Sequence, residues 1–194
     1  MHQTSLFDND PQQPVDDAEG GVRYLPGVFE RDWCERLFAV LWEQAAWNSQ
    51  QRMMYERLVE VPRRVATYRL DRDALPPMLA QTAERVRDTL GAPFNSVGLN
   101  LYRDGRDSVA PHNDKLHDLI PGQPIAVLSL GATRRMTLRA KRAPHRVWHM
   151  DLQAGSLVTM SHASQYHYDH GIPKQPGVLE PRISLAFRVR PPPA

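Results

Sequence analysis

Asn100-Leu101-Tyr102-Arg103-Asp104-Gly105, followed by Pro111-His112-Asn113-Asp114, is the stretch on which the reading of this chain turns. The residues leading into it, 94–102, have the aromatic and β-branched character of a strand, and Asp104-Gly105 is a turn signal that ends it. Side chains two apart on a strand share a face, so Asn100 and Tyr102 project together while Leu99 and Leu101 point the other way. In extended backbone the same rule brings His112 and Asp114 to one side. An imidazole and a carboxylate so placed can bind one first-row metal ion. A second, distant histidine would complete the 2-His-1-carboxylate face of non-haem Fe(II) sites, leaving other positions open. His-x-Asp alone is a weak signal, since it occurs on many surface loops, and its meaning depends on what surrounds it.

Downstream, short apolar runs divided by turns predict strands over 97–102, 125–130, 136–140, 146–152, 156–160 and 181–189. Ile125-Ala126-Val127-Leu128 is continuous enough for a strand covered on both faces, whereas Val147, His149 and Asp151 alternate with Trp148, Met150 and Leu152. Upstream there are two helices. Asp32 offers an N-cap with Glu35 at the capping-box position, and Trp33, Leu37, Leu41 and Ala45 share one helical face. The second helix begins near Pro76-Pro77, buries Leu79, Ala83, Val86 and Leu90, and ends at Gly91. Two helices followed by a β-rich run give an α+β pattern, and a jelly-roll pair of sheets with helices packed outside accommodates it. Between the helices, 47–72 lacks a sustained period apart from a possible strand through Val65-Ala66-Thr67-Tyr68. It is expected to be a loop-rich element, either a substrate-covering lid or a mobile surface loop.

A length of 194 residues with 41% hydrophobic side chains suits one domain with a substantial core. Residues 1–21 are rich in Asp, Gln, Pro and Gly and are expected to form a disordered arm ahead of a single domain over 22–194. No apolar run is long enough for a bilayer and the N-terminus carries no secretory signal, so the expected location is cytoplasmic and no membrane is involved. Cys34 is the only cysteine, which excludes an internal disulfide or a thiolate cluster and fits an inert helix residue. Net charge is only +2, but it is uneven. Arg134, Arg135, Arg139, Lys141 and Arg142 crowd one segment, with Arg63 and Arg64 a second pair. Phosphate binding and a charge-protected strand edge explain these clusters equally well.

The last strand has two chemically different faces. Ile183, Leu185 and Phe187 form a core face, while Arg182, Ser184, Ala186 and Arg188 share the other. The arginine Cα atoms are about 20 Å apart at about 3.3 Å per residue, and small Ala186 leaves room for both guanidiniums to close on one short dianion. A solvated strand decorated with arginines is the plainer alternative. Just upstream, His162, His167 and His170 compete to be the missing histidine.

Asn100-x-Tyr102, Gly105, His112-x-Asp114, Pro124-Ile125-Ala126-Val127-Leu128-Ser129-Leu130-Gly131, His170-Gly171-Ile172 and Arg182-x5-Arg188 together resemble the AlkB family of Fe(II)- and 2-oxoglutarate-dependent dioxygenases. The resemblance covers roughly residues 59–190, and it is the ordered combination that is specific. It implies a double-stranded β-helix core over about 95–190, with 47–72 as a nucleotide-recognition lid. It also implies iron held by His112, Asp114 and His170, and Arg182 on the distal carboxylate of 2-oxoglutarate. Arg188 then lies toward the metal end, and Asn100, Tyr102 and Ser184 supply hydrogen bonds. The implied reaction consumes O2 and 2-oxoglutarate, gives succinate and CO2, and releases formaldehyde from an N-methylated base in alkylated DNA or RNA.

On that reading His112 and Tyr68 flank the base, Arg63 and Arg64 meet phosphate from one rim, and Arg139 and Lys141 from the other; the enzyme is expected to be a monomer. Two departures stand out. Leu116 occupies the position where base-repairing members carry an acidic residue, and Ser184 replaces an asparagine. Leu116 keeps open the same oxygenase chemistry on a protein side chain or small metabolite. A non-catalytic nucleic-acid-binding module is the third reading, which the full triad opposes.

Overall fold

Alternation of apolar and polar side chains dominates the second half of the chain, and it builds two antiparallel sheets that face each other. The computed structural model describes residues 10–54 and 57–192, the side chains of 50–60 excepted. Strands β1 (Gln12–Val15) and β2 (Val22–Leu25) come first, then helix α1 (Arg31–Gln44), strands β3 (Asn48–Met54) and β4 (Arg57–Arg69), and helix α2 (Pro77–Leu90). They are followed by β5 (Ser96–Tyr102), β6 (Val109–His112), a 3-10 turn (Leu116–Asp118), β7 (Ile125–Gly131), β8 (Arg134–Ala140) and β9 (Val147–Leu152). Strand β10 (Leu157–Met160), the single turn α3 (Ser164–His167), β11 (Tyr168–Ile172) and β12 (Arg182–Arg188) complete the chain.

The larger sheet runs β1-β2-β10-β7-β12-β5-β4-β3 and the smaller β6-β11-β8-β9. This is the α+β jelly roll expected from the sequence. At the centre of the larger sheet, Leu185 lies opposite Leu99 on one side and Leu128 on the other. Leu185, Leu99, Leu128 and Phe187 face Leu37, Leu41, Leu79 and Val86 of the two helices, in one cluster of fully buried side chains. Each contributes about 1.5–3 kcal/mol by leaving water. A second cluster fills the space between the sheets, with Met136, Leu138, Met150 and Leu152 against Ile125, Val158 and Met160. Strand β7 serves both clusters, which is why its sequence is apolar at successive positions.

Helix α2 has Pro77 in its first turn and Gly91 at φ 60° as its C-terminal cap, the expected pairing. Helix α1 differs. Its N-cap is Glu30, without a side-chain cap, so Asp32 lies inside the first turn, where it meets the positive end of the helix dipole. Glu35 pairs with Arg31 instead of closing a capping box. Cys34 is buried against the Phe29 carbonyl, and burial pushes its thiol up to about 11, as suits an inert residue.

Two expectations are corrected. Residues 1–9 of the expected disordered arm lie outside the described residues, but 10–21 are built into the fold. Strand β1 pairs with β2, β2 pairs with β10, and Val15 and Val22 join the core between the sheets. The turn between them needs glycine: Gly21 has φ 64°, and a Cβ there would run into the Val15 carbonyl oxygen. Average composition concealed one well-placed valine and a tied turn. Likewise 47–72 is no irregular loop. Strands β3 and β4 form a hairpin that extends the larger sheet, with β4 paired to β5 from Arg64 opposite Leu101 to Arg69 opposite Ser96. Its period was hidden because Val61, Arg63, Val65 and Thr67, a mixture of apolar and polar side chains, face a cavity, whereas Ala66 and Tyr68 pack toward the helices and Arg64 faces solvent.

Candidate active site

Where the hairpin carries the larger sheet beyond the edge of the smaller one, a cavity of about 990 Å³ opens between them. Its floor is the inward face of β5 and β12, and its wall is β6 with the residues that follow. His112 ends β6 and stands directly opposite His170 on β11, with ring centroids 4.5 Å apart. Gly171 permits this approach, since a Cβ there would lie 2.8 Å from the Val109 carbonyl oxygen. Asp114 follows two residues later, and one ligand atom from each of His112, Asp114 and His170 lies within 4.8 Å of the other two. The competitors fall elsewhere. His162 is buried on the turn after β10 with its ring edge-on to Tyr166, and His167 is exposed at the end of α3.

The protonation states suit metal binding. Burial and then the neighbouring His112 push the His170 imidazole down to about 3, so it is neutral, the ligating form. His112 Nδ1 lies 3.0 Å from the Ala110 carbonyl oxygen, which makes Nδ1 the protonated nitrogen and leaves the Nε2 lone pair free. Burial raises the Asp114 carboxyl, but the Arg188 guanidinium outweighs it and holds the pKa below the ordinary carboxylate value. Arg188 grips this carboxylate with both nitrogens, Nε to Oδ2 at 2.6 Å and Nη2 to Oδ1 at 3.1 Å.

At the closed end lies Arg182, 1% exposed. Its Nη2 donates to Ser129 Oγ at 2.9 Å, while Nε and Nη1 are buried without a hydrogen-bond partner among the described residues. Ser184 lies between Asn100 and Ser129 in the strand register, and Asn100 Nδ2 reaches its Oγ at 3.4 Å. Tyr102 stands over Arg182, its ring 5.1 Å from the guanidinium carbon. The two arginines of β12 therefore do different things: Arg182 points into the closed end, and Arg188 is engaged by Asp114.

The remaining sequence candidates separate. Arg63 lines the cavity and donates from Nε to Asn100 Oδ1 at 2.9 Å. Arg64, one residue on, is exposed on the opposite face of β4. Tyr68 is not a cavity wall: it packs on the helix side, where its hydroxyl accepts from the Ala46 N–H at 3.4 Å. Arg139 is exposed on the outer face of the smaller sheet, opposite Val147 and Asp169. Lys141 is held internally, donating to Asn113 Oδ1 at 2.9 Å and to the Gln165 carbonyl at 2.8 Å. Arg134 is not a surface charge either, being 1% exposed. Sequence reasoning overlooked Ser129 and Gln165. Ser129 was detectable as a polar side chain on the inward side of an apolar strand; Gln165 carried no signal.

Residues 21–188 match the 2OG-Fe(II) oxygenase superfamily, and the chain belongs to it. The relatives it resembles are AlkB proteins. It is 38% identical over 119 residues to the DNA oxidative demethylase ALKBH2 of Homo sapiens, covering 58% of this chain and 46% of that protein. It is 32% identical over 181 residues to the alpha-ketoglutarate-dependent dioxygenase alkB homolog 3 of Homo sapiens, covering 83% of this chain and 62% of that one. The chain thus spans about half the length of the ALKBH2 relatives it matches. The structure of OsALKBH1 superposes with a TM-score of 0.61 at 17% identity, covering 87% of this chain and 97% of that one. A 2OG-Fe(II) oxygenase-family oxidoreductase from Burkholderia pseudomallei gives 0.58 at 14% identity, covering 87% and 84%. Both show the shared fold.

Fe(II), 2-oxoglutarate and O2 come with this family. The site fits them: two imidazoles and a carboxylate converge with open positions, and a buried guanidinium offers two unmet donors suited to a carboxylate. Among the described residues no helix is long and apolar enough to cross a membrane.

Proposed function

We propose that this chain is an Fe(II)- and 2-oxoglutarate-dependent oxidative demethylase of alkylated bases in nucleic acid, DNA foremost. The observation that carries the reading is the convergence of buried Asp114 and His170 with exposed His112, beside Arg182, whose two unmet donors call for an anion. His112, Asp114 and His170 would hold the iron. Arg182 would take the distal carboxylate of 2-oxoglutarate, with Ser184, Asn100 and Tyr102 completing its hydrogen bonds, and Arg188 would steady the Asp114 carboxylate at the metal end. When bound, iron and 2-oxoglutarate supply an O2-dependent hydroxylation of a C–H bond with release of succinate and CO2. On an N-methyl group the hydroxymethyl product loses formaldehyde.

What the chain contributes is placement. A base must leave its stack to reach the cavity, and the exposed His112 ring at the opening offers it a face. Strand β4 borders that opening, so Arg63, on its cavity face, would meet the nucleic-acid backbone. Arg64, Tyr68, Arg139 and Lys141 take no part in this reading, because Arg64 and Tyr68 stand on the face of β4 turned from the cavity, Arg139 lies on the far face of the smaller sheet, and the Lys141 ammonium is engaged by Asn113 and Gln165. The chain is read as a cytoplasmic monomer, which size-exclusion chromatography and cell fractionation test.

The deciding experiment measures formaldehyde and succinate from the purified chain with Fe(II), 2-oxoglutarate and O2. It is offered N-methylated single-stranded and duplex oligonucleotides beside a methylated peptide. Formaldehyde from the oligonucleotides alone is expected. Formaldehyde from the peptide alone would move the activity to proteins, and none from either would overturn the demethylase reading.

A further inference from the structure

Asp114 lies beyond the end of β6, where no sheet ladder holds it, yet it must keep its place to within a fraction of an ångström for chelation. Its backbone N–H donates to Gln165 Oε1 at 3.0 Å. Gln165 is 1% exposed and does not line the cavity, so this amide faces the back of the metal group, away from any substrate. Both ends of it are engaged: Nε2 donates to Ser164 Oγ at 3.2 Å, and the main-chain carbonyl accepts from Lys141 Nζ at 2.8 Å. The same Lys141 Nζ donates to Asn113 Oδ1 at 2.9 Å, pinning the residue between the two ligands.

Behind Gln165 the hydrogen bonds continue to the N-terminal hairpin. Ser164 N–H donates to Ser161 Oγ at 2.9 Å, and Ser161 Oγ donates to Asp17 Oδ2 at 2.6 Å. Asp17 is itself fixed by the N–H groups of Glu19 and Gly21, each at 2.8 Å. Buried polar groups persist where every member is satisfied, and here the series runs without a break from the β1–β2 turn to the ligand loop. We infer that Gln165, assisted by Lys141, is a positioning residue for Asp114, and that the β1–β2 turn is the far anchor of that support. The inference rests on the reading that His112, Asp114 and His170 hold the metal.

The test is anaerobic titration of the full chain with Mn(II), following the free ion by electron paramagnetic resonance, well below each variant's melting temperature. Gln165→Met removes the acceptor at nearly constant volume and should weaken Mn(II) binding about 10–100-fold, the usual cost of losing support behind a metal ligand. Gln165→Glu keeps an oxygen acceptor and should restore most of that affinity. Lys141→Met, at a partly exposed position that tolerates the change, should weaken binding several-fold and decides the matter if Gln165→Met does not fold. A merely structural role would lower the melting temperature and leave Mn(II) affinity unchanged. Unchanged affinity in the folded methionine variants, or equal loss in Gln165→Met and Gln165→Glu, overturns the inference. A wild-type chain that binds no Mn(II) overturns the metal reading itself, and this one with it.

Discussion

Two arginines are buried to the same degree, and they teach opposite lessons. Arg134 and Arg182 are each 1% exposed and flank the Tyr102 ring at 5.5 and 5.1 Å. Every nitrogen of Arg134 is engaged. It donates to the carbonyls of Asp104, Asp107 and Pro173 at 2.8 to 2.9 Å and to Gln175 Oε1 at 3.2 Å, tying the turn after β5 to the segment before β12. Arg182 Nη2 donates to Ser129, but its Nε and Nη1 are buried without a hydrogen-bond partner among the described residues. A satisfied buried cation is a brace, while an unsatisfied one is a cost retained for a ligand.

That difference can be broken experimentally. Arg134→Met should have the largest effect on folding, about 3 kcal/mol, because it strips the donors from several carbonyls at once. In a chain of this size that is a fall in melting temperature of about 6–12 °C, read by calorimetry. Arg182→Met should do the reverse. Without co-substrate its melting temperature should hold or rise, since an unpaired buried charge has gone, while 2-oxoglutarate affinity by titration calorimetry falls at least about 100-fold. If Arg182→Met instead destabilises the chain as much as Arg134→Met, the two residues are both braces and the anion site is misplaced.

Ser129→Ala sharpens the contrast. Loss of the Ser129 hydroxyl that receives Arg182 Nη2 should weaken 2-oxoglutarate binding about fivefold, near 1 kcal/mol, with little change in melting temperature. The smallest effect concerns Asp17. Burial raises its carboxyl, but hydrogen bonds from Ser161, Gly21 and Glu19 prevail and leave the pKa below the ordinary value. With a depressed folded pKa, its contribution is complete above the unfolded carboxylate value and is lost as pH falls through the lower folded one. Asp17→Asn should therefore cost only about 0.5 kcal/mol at neutral pH, because solvent screens this half-exposed carboxylate, and urea melts in acid should find that cost gone.

Much of the site was legible because strands print their faces in alternate residues. Arg182, Ser184 and Arg188 against Ile183, Leu185 and Phe187 followed from that alternation, as did Asn100 with Tyr102. His170 could be named only through the family pattern, since nothing local separates it from His162 or His167. The basic residues misled most. Arg134, Arg139 and Lys141 sit within eight positions of one another, yet one is a brace, one faces solvent from the outer sheet face, and one supports the ligand loop. Charge in a sequence does not say which partners will reach it.

By itself the chain's order of residues determined two helices, the main strands, the inward-facing polar row and the His-x-Asp pair, all consequences of short-range periodicity. Only the tertiary structure decided which buried arginine keeps unmet donors, and that the N-terminal hairpin belongs to the fold. Those depend on contacts between strands far apart in sequence, where the cost of burying a polar group is settled by what happens to lie across from it.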